Sequence, residues 1–431
     1  MLEVDFFLIR NVRAREVLDS RGNPTLEAEV LTEGGVVGRA SVPAGASKGV
    51  HEAVELRDGG KRFHGLGVLK AVRNVNEIIA KELKGMDVRE QGKIDRKLIE
   101  LDGTPNKSRL GANAVLGVSL AVAKAAATSY GIPLYAYLGG IRARTLPVPL
   151  MNIINGGKHA GNELKIQEFM IIPIGFKTFK EALTAACEIY YELKSFLKER
   201  YGLNAINVGD EGGFAPPMKE SREALEALVS SIESTGYKPG SEVALGIDAA
   251  ASNFYEEKKD KYIIDGKELS SGELADYYME LISSYPIRSI EDPFHEEDFK
   301  SFASFTRNVR GKVQVVGDDI FVTNVERLKR GIELGAANAL LLKVNQIGTL
   351  TEALEAAELA FRSGYKVIVS HRSGETEDDY ISDIAVGLNT GQIKTGAPAR
   401  GERTVKYNRL IRIEEELGGR ALYPGKEAFS F

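Results

Sequence analysis

The second half of the chain repeats one pattern, in which a short run of Val, Ile, Leu and Ala carries a charged residue at its end. The runs are VALGIDAAA, IRSIEDPF, VQVVGDDIF, ALLLKVNQIG, KVIVSHRSGE and QIKTGAP, and their charged ends are Asp248, Glu291, Asp318, Lys343, His371 and Lys394. Each of the first five precedes a stretch with helical spacing. Near-continuous apolar strands alternating with helices predict a parallel sheet buried on both faces. Repeating the unit over so long a stretch favours closure into a barrel, where chemistry gathers at the C-terminal strand ends. A lone charge at such an end is ordinarily a solvated loop charge. Six in phase converge on one mouth.

Upstream the period changes. Residues from about 4 to 43 alternate as antiparallel strands, with turns at Ser20-Arg21-Gly22-Asn23-Pro24 and Glu33-Gly34-Gly35. Helical stretches follow at about 66–84, 88–101 and 108–130, the last rich in Gly and Ala that suit close helix packing. These segments read as a smaller α+β domain. Gly139-Gly140 and the Pro147/Pro149 pair punctuate the chain, which divides it into residues 1–140 and 141–431. The second part opens with strands LPVPLMNII and KIQEFMIIP, then two helices in succession at about 177–200 and 219–236, a departure from strict alternation. The expected fold is α/β: a modified eight-stranded β/α (TIM-like) barrel preceded by a smaller α+β N-terminal domain.

With 431 residues, 43% hydrophobic and 27% charged, the chain has an ordinary globular composition and room for a barrel of roughly 250 residues plus a second domain. The net charge of −5 and the lack of a dense Lys/Arg block argue against nucleic acid or an anionic membrane as a general partner. The single Cys187, in a helix-period stretch, reads as a packed thiol and excludes an intrachain disulfide. MLEVDFFLIR is unlike a secretory signal. The longest apolar helix, around NAVLGVSLAVAKAAA, is interrupted by Lys124 and reads as too short for a bilayer. A cytoplasmic enzyme without a membrane span is expected.

Asp248, Glu291 and Asp318 fall on three successive strand ends, so three carboxylates meet although they are far apart in sequence. Hard oxygen ligands select a hard divalent cation, foremost magnesium, with water or substrate completing its shell. The alternative is carboxylates neutralised by Arg or Lys. Spacing does not decide between Glu291 and Asp292, or between Asp318 and Asp319, because alternation points the two members of a doublet differently. Lys343 is either a salt-bridge partner of these acids or a base, since desolvation lowers an ammonium pKa and nearby carboxylates raise it. His371-Arg372-Ser373 brings an imidazole, a guanidinium and a hydroxyl to one strand end, a group suited to a phosphate or carboxylate, and Lys394 adds positive charge at the same mouth. Residues 156–161, GGKHAG, carry His159 on a loop whose glycines suit a closing lid. Residues 207–214, NVGDEGGF, set two acids, Asp210 and Glu211, among glycines, and with Glu168 the segment offers a second carboxylate cluster opposite Lys343. Paired acids raise each other's pKa and keep a proton for general acid work.

As a set these residues resemble the enolases. The motifs are DSRGNPT at 19–25, GASKGVHEA at 45–53, NGGKHAGN, IQEFM, GDEGGFAP, SIEDPF, GDDIFVTN, LLLKVNQIGT, SHRSGETEDD, GQIKTGAPAR and KYNRLIRIEEELG, spread over almost the whole chain. The resemblance implies a lyase of glycolysis and gluconeogenesis that interconverts 2-phosphoglycerate and phosphoenolpyruvate plus water. It implies two magnesium ions, the second arriving with substrate. Asp248, Glu291 and Asp318 would hold the first, and Ser47, in a mobile loop, would help hold the second. Lys343 becomes the base and Glu211, supported by Glu168, the acid. His159 and Gln167 line the opposite side, Arg372 and Ser373 take the phosphate, His371 supports that group and Lys394 meets the substrate carboxylate. A homo-oligomer, dimer or octamer, is implied as well. Ala44 and Lys48 stand where many enolases carry Ser and Thr beside Ser47, which bears on loop closure. Gln167 stands where related racemases and cycloisomerases often carry the second Lys of a Lys-x-Lys pair, which favours enolase itself.

Overall fold

The computed structural model describes residues 4–45, 51–157 and 160–430, so Ser47, Lys48 and His159 lie outside the described residues. Strands β1 (Ile9–Leu18), β2 (Pro24–Thr32) and β3 (Val37–Ser41) form an antiparallel sheet in that order. Its first reversal is set by Asp19, whose carboxylate accepts the backbone N–H groups of Arg21 and Asn23 at 2.8 and 2.9 Å, an Asx-type turn. The helix Ala112–Ser129 packs on β2 and β3. A Cβ on its Gly117 would stand 2.7 Å from Leu26 Cδ2, so a small residue is what permits the approach. At 18 residues this helix is long and apolar enough to cross a bilayer, which corrects the expectation from length. Its 83% burial inside the domain makes it a core helix.

The second part begins with β4 (Val148–Asn155), β5 (Glu168–Pro173) and β6 (Val243–Asp248). A small sheet follows: β7 (Tyr255–Glu256), β8 (Lys261–Ile264) and β9 (Lys267–Leu269). Then come β10 (Ile287–Glu291), β11 (Gln314–Gly317), β12 (Ala339–Leu342), β13 (Lys366–Ser370) and β14 (Gly391–Lys394). Strands β4, β5, β6, β10, β11, β12, β13 and β14 close in that order into an eight-stranded barrel. All neighbours run parallel except β5, which is antiparallel to both β4 and β6. The two helices in succession follow from this. A reversed strand leaves the chain at the floor of the barrel, and a pair of helices, Phe179–Tyr201 and Ser221–Ser234, returns it there to start β6 upward.

The small β7–β9 sheet is the one insertion that the strand/helix pattern did not anticipate, since helical spacing resumes only with Ser271–Ser284. That helix starts with a capping box, Ser270 accepting from the Glu273 backbone and Glu273 from that of Ser270. Near the barrel floor, Gln314 and Gln392 pair side chain to side chain at 2.9 and 2.7 Å. Gln314 also reaches Ser289. The floor thus holds a neutral amide pair, while the buried cluster of charges lies at the other end.

Candidate active site

Strand register lines up the acids. Glu291 on β10 stands beside Asp248 on β6, and Asp248 stands beside Glu168, the first residue of the reversed β5. A parallel strand offers its last residue to the mouth, and an antiparallel one offers its first. That inversion brings Gln167 and Glu168 to the same rim as the other strand ends. Asp318, Lys343 and His371 each follow directly on the last residue of β11, β12 and β13, and Lys394 ends β14. In the ring of eight, β5 and β12 are four strands apart, which sets Glu168 across the mouth from Lys343.

These side chains surround a cavity lined by Gln167, Glu168, Glu211, Asp248, Asp318, Lys343, His371, Arg372, Ser373 and Lys394, with Gly45, Ala250, Asp292, Asp319 and Ser370. Glu291 lies behind it, bonded to Lys394. Ten of the thirteen anticipated residues therefore line one space and an eleventh supports it; the other two, Ser47 and His159, fall on segments not described.

The Lys394 ammonium, 2% exposed, donates to Asp248 Oδ2 at 2.9 Å and to both Glu291 oxygens at 2.8 and 2.9 Å, with Glu168 Oε2 at 3.2 Å. Lys343 Nζ is bonded to Asp318 Oδ2, whose other oxygen accepts from Gln346 Nε2 at 2.9 Å. The three anticipated ligands are thus divided between two ammonium groups. Burial pushes the Glu168 and Glu291 carboxyls well above the usual range, with Glu211 adding to the first and Asp248 to the second. Asp318 is held below it despite burial, because Lys343 is bonded to it, and Lys343 is held above its ordinary value by the same partner against its own desolvation. A space in which carboxylates enclose ammonium groups has the donor set for a hard cation.

The members of each doublet bond differently. Glu291 turns toward Lys394. Asp292 adopts φ +40 and accepts the backbone N–H groups of Asp318 and Asp319 at 3.0 and 2.7 Å, so it clamps the next strand's end. One oxygen from each of Asp292, Asp318 and Asp319 lies within 4.8 Å of the others. Burial, then Asp318, pushes Asp319 up to about 7.

Across the mouth, Glu211 Oε2 accepts from Asn152 Nδ2 at 3.1 Å and faces His371 Nε2 at 3.7 Å. Its loop is held where a larger residue would not fit: Gly396 has φ +80, and a Cβ there would stand 2.7 Å from the Glu211 carbonyl oxygen. Arg372, 5% exposed, forks onto both oxygens of Glu52 at 3.1 Å and donates to Asn345 Oδ1 at 2.9 Å. Gln167 donates to Asp248 Oδ2 at 3.3 Å. Ala44 meets this region through its backbone, exchanging two hydrogen bonds with Gly374 at 2.8 and 2.9 Å, so the pairing needs no side-chain hydroxyl. Sequence reasoning missed Glu52, Asn345, Gln346 and Arg403. The first three sit inside motifs singled out for other residues. Arg403 lies in the first turn of a helix and carried no strand-end signal.

Residues 9–138 match the family model of the enolase N-terminal domain, and residues 143–431 that of the enolase C-terminal TIM barrel domain. The chain is 65% identical over 420 residues to the enolase of Thermococcus gammatolerans, covering 97% of both chains. It is 65% identical over 418 residues to that of Pyrococcus furiosus, again 97% of both, and 64% identical over 412 residues to that of Methanocaldococcus jannaschii, 96% of both.

Proposed function

The chain belongs to the enolase family, and from that membership we propose how its barrel mouth carries out the family's reaction, the reversible dehydration of 2-phosphoglycerate to phosphoenolpyruvate in glycolysis and gluconeogenesis. The observation that carries the reading is the opposition of Lys343 and the Glu168/Glu211 side across one buried mouth. Removing a proton beside an ionised carboxylate and expelling hydroxide from the next carbon requires a base on one face and an acid on the other. Lys343 is the base. Glu211 is the acid, and Glu168, whose carboxyl is kept toward its protonated form by burial and by Glu211, supports it. Lys394 meets the substrate carboxylate, where negative charge gathers in the transition state. Arg372 and Ser373 take the phosphate, with Glu52 and Asn345 holding the plane of the guanidinium. His371 supports that group, and Gln167 lines the opposite side.

Asp248, Glu291 and Asp318 are the residues that would hold magnesium, and Ser47 would join a second ion when substrate is present. A divalent ion held there would supply positive charge to stabilise the negative charge that gathers on the substrate in the transition state, and it would take over the charge that Lys343 and Lys394 lend these acids. His159 would close over the substrate on its glycine-flanked loop. The same reading takes the protein as a homo-oligomer, which sedimentation velocity tests.

The direct assay follows the ultraviolet absorbance of phosphoenolpyruvate formed from 2-phosphoglycerate after chelation and again after magnesium is added. Turnover is expected to vanish and return. Full turnover in protein shown metal-free by elemental analysis refutes the ligand assignment.

A further inference from the structure

Arg403, in the helix Gly401–Leu417, is fully buried. A buried guanidinium needs acceptors for its donors. Nη1 donates to His371 Nδ1 and to the Arg372 carbonyl, both at 2.6 Å. Nη2 donates to the carbonyls of Ser373 at 2.6 Å and Asp210 at 3.0 Å. Nε faces Glu402 Oε1 at 3.6 Å. These partners come from two separate segments of the mouth: the loop that carries Glu211 and the end of β13 that carries the phosphate-binding residues.

One consequence concerns a proton. A guanidinium only donates and does not give up its charge, so Nδ1 of His371 must present its lone pair. In the neutral imidazole the hydrogen then sits on Nε2. Burial, reinforced by Arg403 and Lys394 and opposed by Glu211, holds the ring neutral by pushing its pKa well below the ordinary value. Nε2 faces Glu211 Oε2 at 3.7 Å, too far for a hydrogen bond but near enough for the sign of the dipole to matter. An Nε2–H turns positive charge toward that carboxyl. The other tautomer would turn a lone pair toward it.

We propose that Arg403 is a positioning residue of the active site, which locks His371 as its Nε2–H tautomer toward Glu211 and ties the Glu211 loop to the end of β13 through one planar group. The inference rests on the reading of Glu211 as the acid of the elimination. A lysine could supply the charge but not the four-way planar fork.

The test uses the full chain labelled with 15N, read by long-range proton–nitrogen correlation of the histidine rings. The sequence holds five histidines, and His371→Gln identifies one ring by its loss. A pyridine-like Nδ1 with a pyrrole-like Nε2 is expected at His371, and mixed tautomers in Arg403→Gln. In that variant elimination from 2-phosphoglycerate is expected to fall roughly ten- to a hundred-fold, as small misplacements of reacting groups do. Solvent exchange of the proton beside the carboxylate, which depends on Lys343, stays close to the parent rate. A pyrrole-like Nδ1 in the parent protein overturns the proposal, even if the variant fails to fold. So does a folded Arg403→Gln that eliminates normally, or that loses exchange and elimination equally, as general structural damage would. Glu211→Gln eliminating at the parent rate refutes the acid reading alone and leaves the tautomer to be judged by the nitrogen shifts.

Discussion

Glu29 on the N-terminal sheet and Glu291 at the barrel mouth are both carboxylates beside cations, yet their acidities move in opposite directions. Glu29 bonds Arg13 at 2.5 Å and Arg15 and Arg39 at 2.7 Å, and it is held down to about 2, chiefly by Arg15. Glu291 shares one ammonium with Asp248 and Glu168, and burial drives it up. The difference is in the surroundings. The Arg13 and Arg39 side chains are 64% and 58% exposed, so water shares the charge on the sheet. At the mouth every member of the Lys394 group is nearly inaccessible. On the sheet the acid is outnumbered by cations, and at the mouth the cation is outnumbered by acids. Pairs of the first kind, whose cations are largely exposed, contribute little and fade with salt. A buried excess of carboxylate is costly to fold, and it reads as a cation site rather than as a stabilising device.

That contrast breaks most directly at Lys394. Lys394→Met leaves Asp248, Glu291 and Glu168 facing one another without their ammonium, and removing one partner of a buried ion group costs about 3–5 kcal/mol. Denaturant melts should show that loss, with magnesium recovering part of it, and turnover should be lost. A smaller effect is expected at Arg372. Arg372→Lys keeps the charge but loses the fork, and a charge-assisted hydrogen bond of ~1.5–3 kcal/mol implies roughly a ten- to hundred-fold fall in kcat/KM for 2-phosphoglycerate.

The floor of the barrel offers a neutral control. Gln314→Leu leaves Gln392 Oε1 without its donor while Gln392 Nε2 keeps the Ala428 carbonyl, and should cost about 1–3 kcal/mol, whereas the double change to Leu also strips that carbonyl of its donor and should cost more than the single one. Comparing the three melts checks this, and activity should follow stability alone. The smallest effect is on the sheet. Because the folded pKa of Glu29 lies below its ordinary 4.5, its contribution is present above that pH and is lost as pH falls toward about 2. The stability difference between parent and Glu29→Gln, about 1 kcal/mol or less, should shrink across that window and with added salt.

The barrel and its mouth were legible because strand ends repeat. Asp248, Glu291, Asp318, Lys343, His371 and Lys394 each close an apolar run, and register carries them to one rim. Glu168 was visible as an acid but not as the start of a reversed strand, since an apolar run has no direction written in it. The different bonding of Glu291 and Asp292 depended on a positive φ at Asp292, which spacing does not reveal. The β7–β9 sheet was hidden because its strands are two to four residues long. Arg403 was hidden for a different reason. Its partners are three backbone carbonyls and one ring nitrogen brought together by folding, and none of them leaves a mark near it in the chain.

The central claim is that proton removal and hydroxide departure belong to opposite sides of one mouth, with Lys343 on one side and Glu211 on the other. Exchange of the 2-phosphoglycerate α proton in deuterated water, read by NMR alongside product formation, separates the two steps. Lys343→Ala should lose both exchange and product, while Glu211→Gln should keep exchange and lose product by roughly 10²-fold or more. Exchange at the parent rate in Lys343→Ala, or product at the parent rate in Glu211→Gln, would contradict that division of labour.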